Sequence, residues 1–114
     1  MSSSQRIDPR VLRTRILIRD AFIDLLQEFE LEKITVNRIA ERATISRVTF
    51  YLHYRDIPDM IERLADEMVN DIHTILIKIP AHPGFKMNIL VEMLEHIAAN
   101  SKFYKVLLAS KRIP

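Results

Sequence analysis

Hydrophobic residues recur along this chain at intervals of three and four, the period of a helix with one buried face. The first run covers residues 9–29, where Leu12, Ile16, Phe22, Leu25, Leu26 and Phe29 follow that spacing. Asp8 followed by Pro9 predicts its start: a side chain that accepts from a free N–H, then a proline where no N–H is needed. The segment ELEKI breaks the period. Thr35 then predicts the cap of a short second helix, VNRIAERA, with Val36, Ile39, Ala40 and Ala43 inward. After a tight connection, TI, Ser46 predicts the cap of a third helix, RVTFYLHY.

Asp56 is expected to cap a long fourth helix with Pro58 and Asp59 in its first turn. Its expected stripe is Ile57, Met60, Ile61, Leu64, Met68, Ile72, Ile75, Leu76 and Ile79, and PAHPG is expected to stop it. A fifth helix over residues 85–99 is expected to bury Met87, Leu90, Leu94, Ile97 and Ala98. Asn100 and Ser101 mark a break, and a sixth helix, KFYKVLLASK, follows. Everything periodic is helical, so the predicted fold class is all-α.

Composition narrows the function classes. A single glycine in 114 residues argues against turn-rich β designs and against glycine loops that cradle phosphate. With no cysteine there is no disulfide, no thiolate zinc site and no cysteine nucleophile. The start MSSSQRIDPR lacks the apolar run of a secretory signal. No stretch reaches the roughly 18 apolar residues that span a bilayer. No membrane partner is expected, and the chain reads as cytoplasmic.

The formal net charge is only +2, but it is unevenly spread. Lys33, Arg38, Arg42, Arg47 and Arg55 face Glu41 alone in the middle of the chain, while Asp20, Asp24, Glu28, Glu30 and Glu32 cluster before it. One basic region on a near-neutral chain suggests a local polyanion contact; an unevenly charged solvated surface is the plainer reading.

The stretch ISRVTFYLHY mixes polar tips with large apolar bodies in ten positions. Two short helices with a serine opening the second form the plan of a helix-turn-helix, whose second helix can enter the major groove. Arg47 can donate twice to guanine, and Val48 and the Thr49 methyl can touch a thymine methyl. Tyr51 and His53 can donate to phosphates, and helix starts at Thr35 and Ser46 favour phosphate oxygens. Phe50 and Tyr54 would then face the core. The competing reading is an ordinary amphipathic helix in a bundle.

The segment TVNRIAERATISRVTFYLHYRDIPDMIERL resembles the DNA-binding domain of TetR/AcrR-type transcriptional regulators. The shared pattern is Thr35, Ile39-Ala40, the turn to Ser46, Tyr51-x-His53-Tyr54 and a helix from Asp56, and the likeness covers about residues 12–72. The resemblance implies base contacts from Asn37, Arg47, Val48 and Thr49, and phosphate contacts from Thr35, Tyr51 and His53. Ser46 joins this set as the cap of the reading helix.

The resemblance also implies a ligand-responsive repressor that binds a palindromic operator on double-stranded DNA as a homodimer, with an unidentified small-molecule effector. The expected organisation is a flexible arm over 1–8, a helix-turn-helix domain over 9–55, a connecting helix over 56–79, and the start of a helical regulatory and dimerisation domain over 80–114. Three positions depart from the pattern: Thr44 and Glu30 stand where glycines are usual, and Ile57 where a basic residue is common. Family members are usually well longer, so the chain is expected to be a fragment with apolar faces partly uncovered in its last helices.

Other chemistry is less marked. His73, His82 and His96 show no paired metal-ligand spacing, and no serine sits in a nucleophile-elbow pattern. Neither an enzyme nor a cofactor is expected. Met60, Met68, Met87 and Met93 suit either a ligand pocket or plain core. Arg6 or Arg10 of the arm could enter a minor groove, or the arm could be a disordered end. A second function class keeps the same fold but uses Tyr51, Leu52 and Tyr54 to bind a partner protein.

Overall fold

The computed structural model describes residues 8–81 and 87–110, with side-chain surroundings for 8–74 and 90–110. The described residues are all-α: α1 (Pro9–Leu26), a 3-10 turn (Leu31–Lys33), α2 (Val36–Ala43), α3 (Arg47–His53), α4 (Ile57–Ala81), α5 (Met87–Ala99) and α6 (Ser101–Ser110). The chain divides into two compact units, Met1–Ile57 and Pro58–Pro114.

In the first unit, Asp8 accepts from the Arg10 amide and Pro9 opens α1, as the sequence predicts. The buried stripe of α1 differs from the expected one. It is Ile18, Ala21, Phe22, Leu25 and Leu26, while Leu12 and Ile16 are exposed. Residues advance about 100° each on a helix, so Ile16 stands roughly opposite Ile18. Stepping back from Ile18 leads through Arg15, Thr14 and Val11, all half-buried. The regular helix also ends at Leu26 rather than residue 29. The chain continues as a tightened turn in which the Glu28 and Phe29 amides still reach the Leu25 carbonyl, at 3.0 and 2.8 Å. The 3-10 turn then absorbs the broken period of ELEKI, and Glu30 sits in extended backbone, where no glycine is needed.

Helix α2 packs on α1, and α3 on α2. Ile39, Ala40 and Ala43 supply the buried side of α2. Ion pairing reinforces the first contact: Arg42 bridges to Asp24 and forms two bonds to Glu28, at 3.0 and 3.1 Å. Hydrogen bonding to Glu28 first, and to Asp24 second, holds the Arg42 guanidinium above its ordinary pKa. Arg38 lies 4.4 Å over the Phe29 ring.

The connection between α2 and α3 turns on Thr44, whose φ of 60° and ψ of 47° are left-handed. Its amide bonds to the Glu41 carbonyl at 3.2 Å and that of Ile45 to the Ala40 carbonyl at 2.9 Å. These two bonds satisfy carbonyls at the end of α2 and reverse the chain. Thr44 is the single non-glycine residue with positive φ among the described ones. A β-branched residue in this region costs about 1–2 kcal/mol. Thr44→Gly is therefore expected to raise stability by about 1 kcal/mol, seen as a higher denaturation midpoint. A lower midpoint would mean that the threonine side chain makes a compensating contact.

In the second unit, Met60, Ile61, Leu64 and Ala65 are the buried side of α4, while Met68 and Ile72 are half-buried, as is Ile57 at the end of the first unit. Ile75, Leu76 and Ile79 lie outside the described side chains. Asp59 is buried in the first turn of α4, where its charge suits the helix dipole, and Arg63 bonds to both of its oxygens at 3.3 Å. The helix continues through Pro80 to Ala81, so the first proline of PAHPG does not stop it. A proline that near a helix end displaces only one intrahelical bond. His82, Phe85 and the surrounding residues lie outside the described ones.

Helices α5 and α6 pair around a break at Asn100. The Asn100 backbone amide donates to the His96 carbonyl, its side-chain amide donates to the same carbonyl at 3.0 Å, and its own carbonyl accepts from the Tyr104 amide. Leu90, Met93 and Ile97 are half-buried, but Leu94 is 54% exposed and Ala98 is exposed, against expectation. The buried line on α5 runs through 90, 93 and 97, and Leu94 is turned about 100° from Met93. Phe103 and Leu107, one turn apart, are the buried residues of α6.

Candidate nucleic-acid interface

Helix α3 is held from both ends. Ser46 Oγ accepts from the Thr49 amide at 3.0 Å and lies 3.0 Å from Thr49 Oγ1. At the other end Tyr54 is extended and its amide bonds to the Phe50 carbonyl. Phe50 and Tyr54 face the core, as expected, with ring centroids 5.7 Å apart. Tyr54 is only 2% exposed, so it cannot belong to a protein-docking face with Tyr51 and Leu52.

The rest of α3 sorts by angle from Phe50. Arg47 and Tyr51 share one flank, with the guanidinium carbon 6.0 Å from the Tyr51 ring centroid. Thr49 and His53 share the other flank and are half-buried. Val48 and Leu52, about 160° to either side of Phe50, form the crest opposite the core. They are 69% and 78% exposed. Arg47 is also exposed, and Tyr51 meets the edge of Phe50 at 5.5 Å, which fixes its ring.

The remaining predicted residues sit at the start of α2. Thr35 caps the helix by accepting from the Arg38 amide at 3.1 Å, and Asn37 is exposed in its first turn. Thr35 and Ser46 thus each close one helix start in the same unit, and Asn37 is carried by the helix packed on α3. The expected basic run is thinner than the sequence suggests: Arg42 is committed to Asp24 and Glu28, and Arg38 to the Phe29 face.

Two residues escaped the sequence reading. Leu52 was assigned only to a protein contact, although its spacing from Val48 puts both on one line. Arg15 stands on the buried stripe of α1, three residues before Ile18, where an apolar residue is expected. Its Nε is buried with no hydrogen-bond partner among the described residues. Partial burial, then the nearby Arg15 charge, pushes the His53 pKa below its ordinary 6.5.

The sign of that shift fixes a pH dependence. Below about pH 6.5 the unfolded chain takes up the His53 proton before the folded chain does. The stability tied to neutral His53 is present above pH 6.5 and is lost as pH falls toward the depressed folded value. Thermal unfolding between pH 7.5 and 5.5 is expected to decline less steeply for His53→Gln than for the parent. Equal slopes would remove His53 from the account.

His73 and His96 are exposed on separate helices, and the described residues include no group of three His, Asp or Glu that could hold a metal. No described helix is long and apolar enough to cross a membrane.

No family model matches the chain. Over 73 residues it is 36% identical to the uncharacterized HTH-type transcriptional regulator YxbF of Bacillus subtilis (strain 168), a match covering 60% of this chain and 19% of that protein. The chain therefore spans well under half the length of the curated relative it matches.

Proposed function

We propose that this chain reads double-stranded DNA as part of a sequence-specific transcriptional regulator of the TetR/AcrR type, with α3 in the major groove and α2 behind it. The observation that carries this reading is the outward face of α3. A helix without a carboxylate presents Arg47, Val48, Tyr51 and Leu52 to solvent, while Phe50 and Tyr54 anchor it from behind. The likeness to an HTH-type regulator supports the same reading.

In this reading Arg47 donates to guanine, and Val48, Thr49 and Asn37 meet base edges. Tyr51, His53 and the helix starts at Thr35 and Ser46 hold phosphates. A homodimer would set two such helices on the halves of a palindrome in cytoplasmic DNA. A small molecule acting through the following helices would change their separation and release the operator, because half-sites have fixed spacing.

Selection from a randomised duplex library, with the full-length dimeric protein at moderate salt, tests this. The expected result is an enriched palindrome. Retention without enrichment would reduce the contact to phosphates. No retention would favour the alternative, a co-activator or protein-interaction module with weak DNA affinity, for which the exposure of Tyr51 and Leu52 is the supporting observation.

A further inference from the structure

The crest of α3 is apolar, and this bears on what sequence it can read. On a seven-residue helix, Val48 and Leu52 are the side chains farthest from the core side, and they are the most exposed large apolar residues of the described chain. Neither can donate or accept a hydrogen bond, so the deepest-reaching line of the helix cannot recognise guanine, cytosine or adenine by their polar edges. The major groove displays one apolar group, the C5-methyl of thymine.

Geometry lets both residues reach the groove together. Seven helical residues span about 10 Å, less than the roughly 12 Å width of the major groove. The last turn of α3 therefore stays within reach of the bases. Val48 and Leu52 are four residues apart, about 6 Å along the helix. That is close to two base steps of about 3.4 Å. The surrounding charge also suits a nucleic acid better than an acidic or apolar protein groove: Arg47 flanks the crest, Arg55 follows it, and α3 has no acidic residue.

We infer, resting on the DNA-reading proposal above, that Val48 and Leu52 form a two-residue apolar edge that reads the C5-methyl groups of two thymines about two base steps apart in each half-site. Leu52 is thereby a specificity-determining residue. Burying these side chains against methyl groups removes apolar surface from water on both sides, whereas a cytosine at either place leaves the crest facing a polar amino group.

Replacing thymine by deoxyuridine removes only the methyl group and leaves every hydrogen-bonding edge intact. The probe is the duplex enriched by selection, with each thymine replaced in turn by deoxyuridine. The parent chain is expected to lose about fourfold in affinity per methyl at two positions of each half-site, and little elsewhere. Leu52→Ala is expected to lose the sensitivity at one of these positions and keep it at the other, with Val48→Ala showing the reverse. Both side chains are exposed, so the variants should fold; circular dichroism verifies this.

Equal deoxyuridine sensitivity in the parent and in Leu52→Ala would overturn the role of Leu52. Indifference of the parent to deoxyuridine at every position, with the duplex still bound, would overturn methyl reading while leaving DNA binding intact. Failure to retain any duplex would remove the DNA reading itself, and this inference with it.

Discussion

Replacing Phe50 with alanine is expected to cost about 3–5 kcal/mol. The ring is fully buried, with Tyr51 against its edge and Tyr54 beside it. Removing it leaves a cavity between α3 and its support and takes away the contact that fixes the Tyr51 ring. A domain of this size has only about 5–15 kcal/mol of total stability. Denaturation in urea, followed by far-ultraviolet circular dichroism, should show a midpoint lower by at least about 1 M. Phe50→Leu refills most of the volume and should lose much less. A parent-like midpoint for Phe50→Ala would mean that α3 is held by the caps alone.

Arg47→Ala is expected to weaken operator binding by about 1–3 kcal/mol and to relax preference at one base pair. The side chain is exposed, so stability should hold. Arg47→Lys separates charge from geometry. It keeps the cation but loses the planar fork that meets two guanine acceptors, so general duplex affinity should survive better than discrimination. Unchanged operator affinity in Arg47→Ala, measured at the same salt, would displace α3 from the proposed groove position. His53→Ala, by contrast, is expected to weaken all sequences about equally, because a phosphate contact carries no base information.

Much of this was legible in the sequence because its determinants are local. Asp8-Pro9, Thr35 and Ser46 announce helix starts through one side chain and one amide each, and all three caps are formed as read. Val36–Ala43 was bounded correctly for the same reason. The inward pair Phe50 and Tyr54 followed once the polar side chains of α3 were turned outward, and both are buried.

The errors lie where the answer depends on a neighbour. Periodicity names the residues that could share a stripe, but it does not choose among overlapping stripes. Leu12 and Ile16 belong to one candidate line on α1, and the fold used another, through Arg15. Leu94 and Ala98 fail on α5 for the same reason. The cations were miscounted because the sequence shows charge without partners: Arg42 is 18 residues from Asp24 and 14 from Glu28, and only the packing of α2 on α1 brings them together.

The sequence by itself determined an all-α chain, the starts of its first three helices, and a short helix combining aromatic and polar residues. These depend on backbone hydrogen bonding and nearest-turn spacing, which act over a few residues. Tertiary structure alone decided that Tyr54 is closed to partners and that Val48 and Leu52 form the outermost line of α3. Exposure is set by which face another element covers, and that depends on residues far away in the chain.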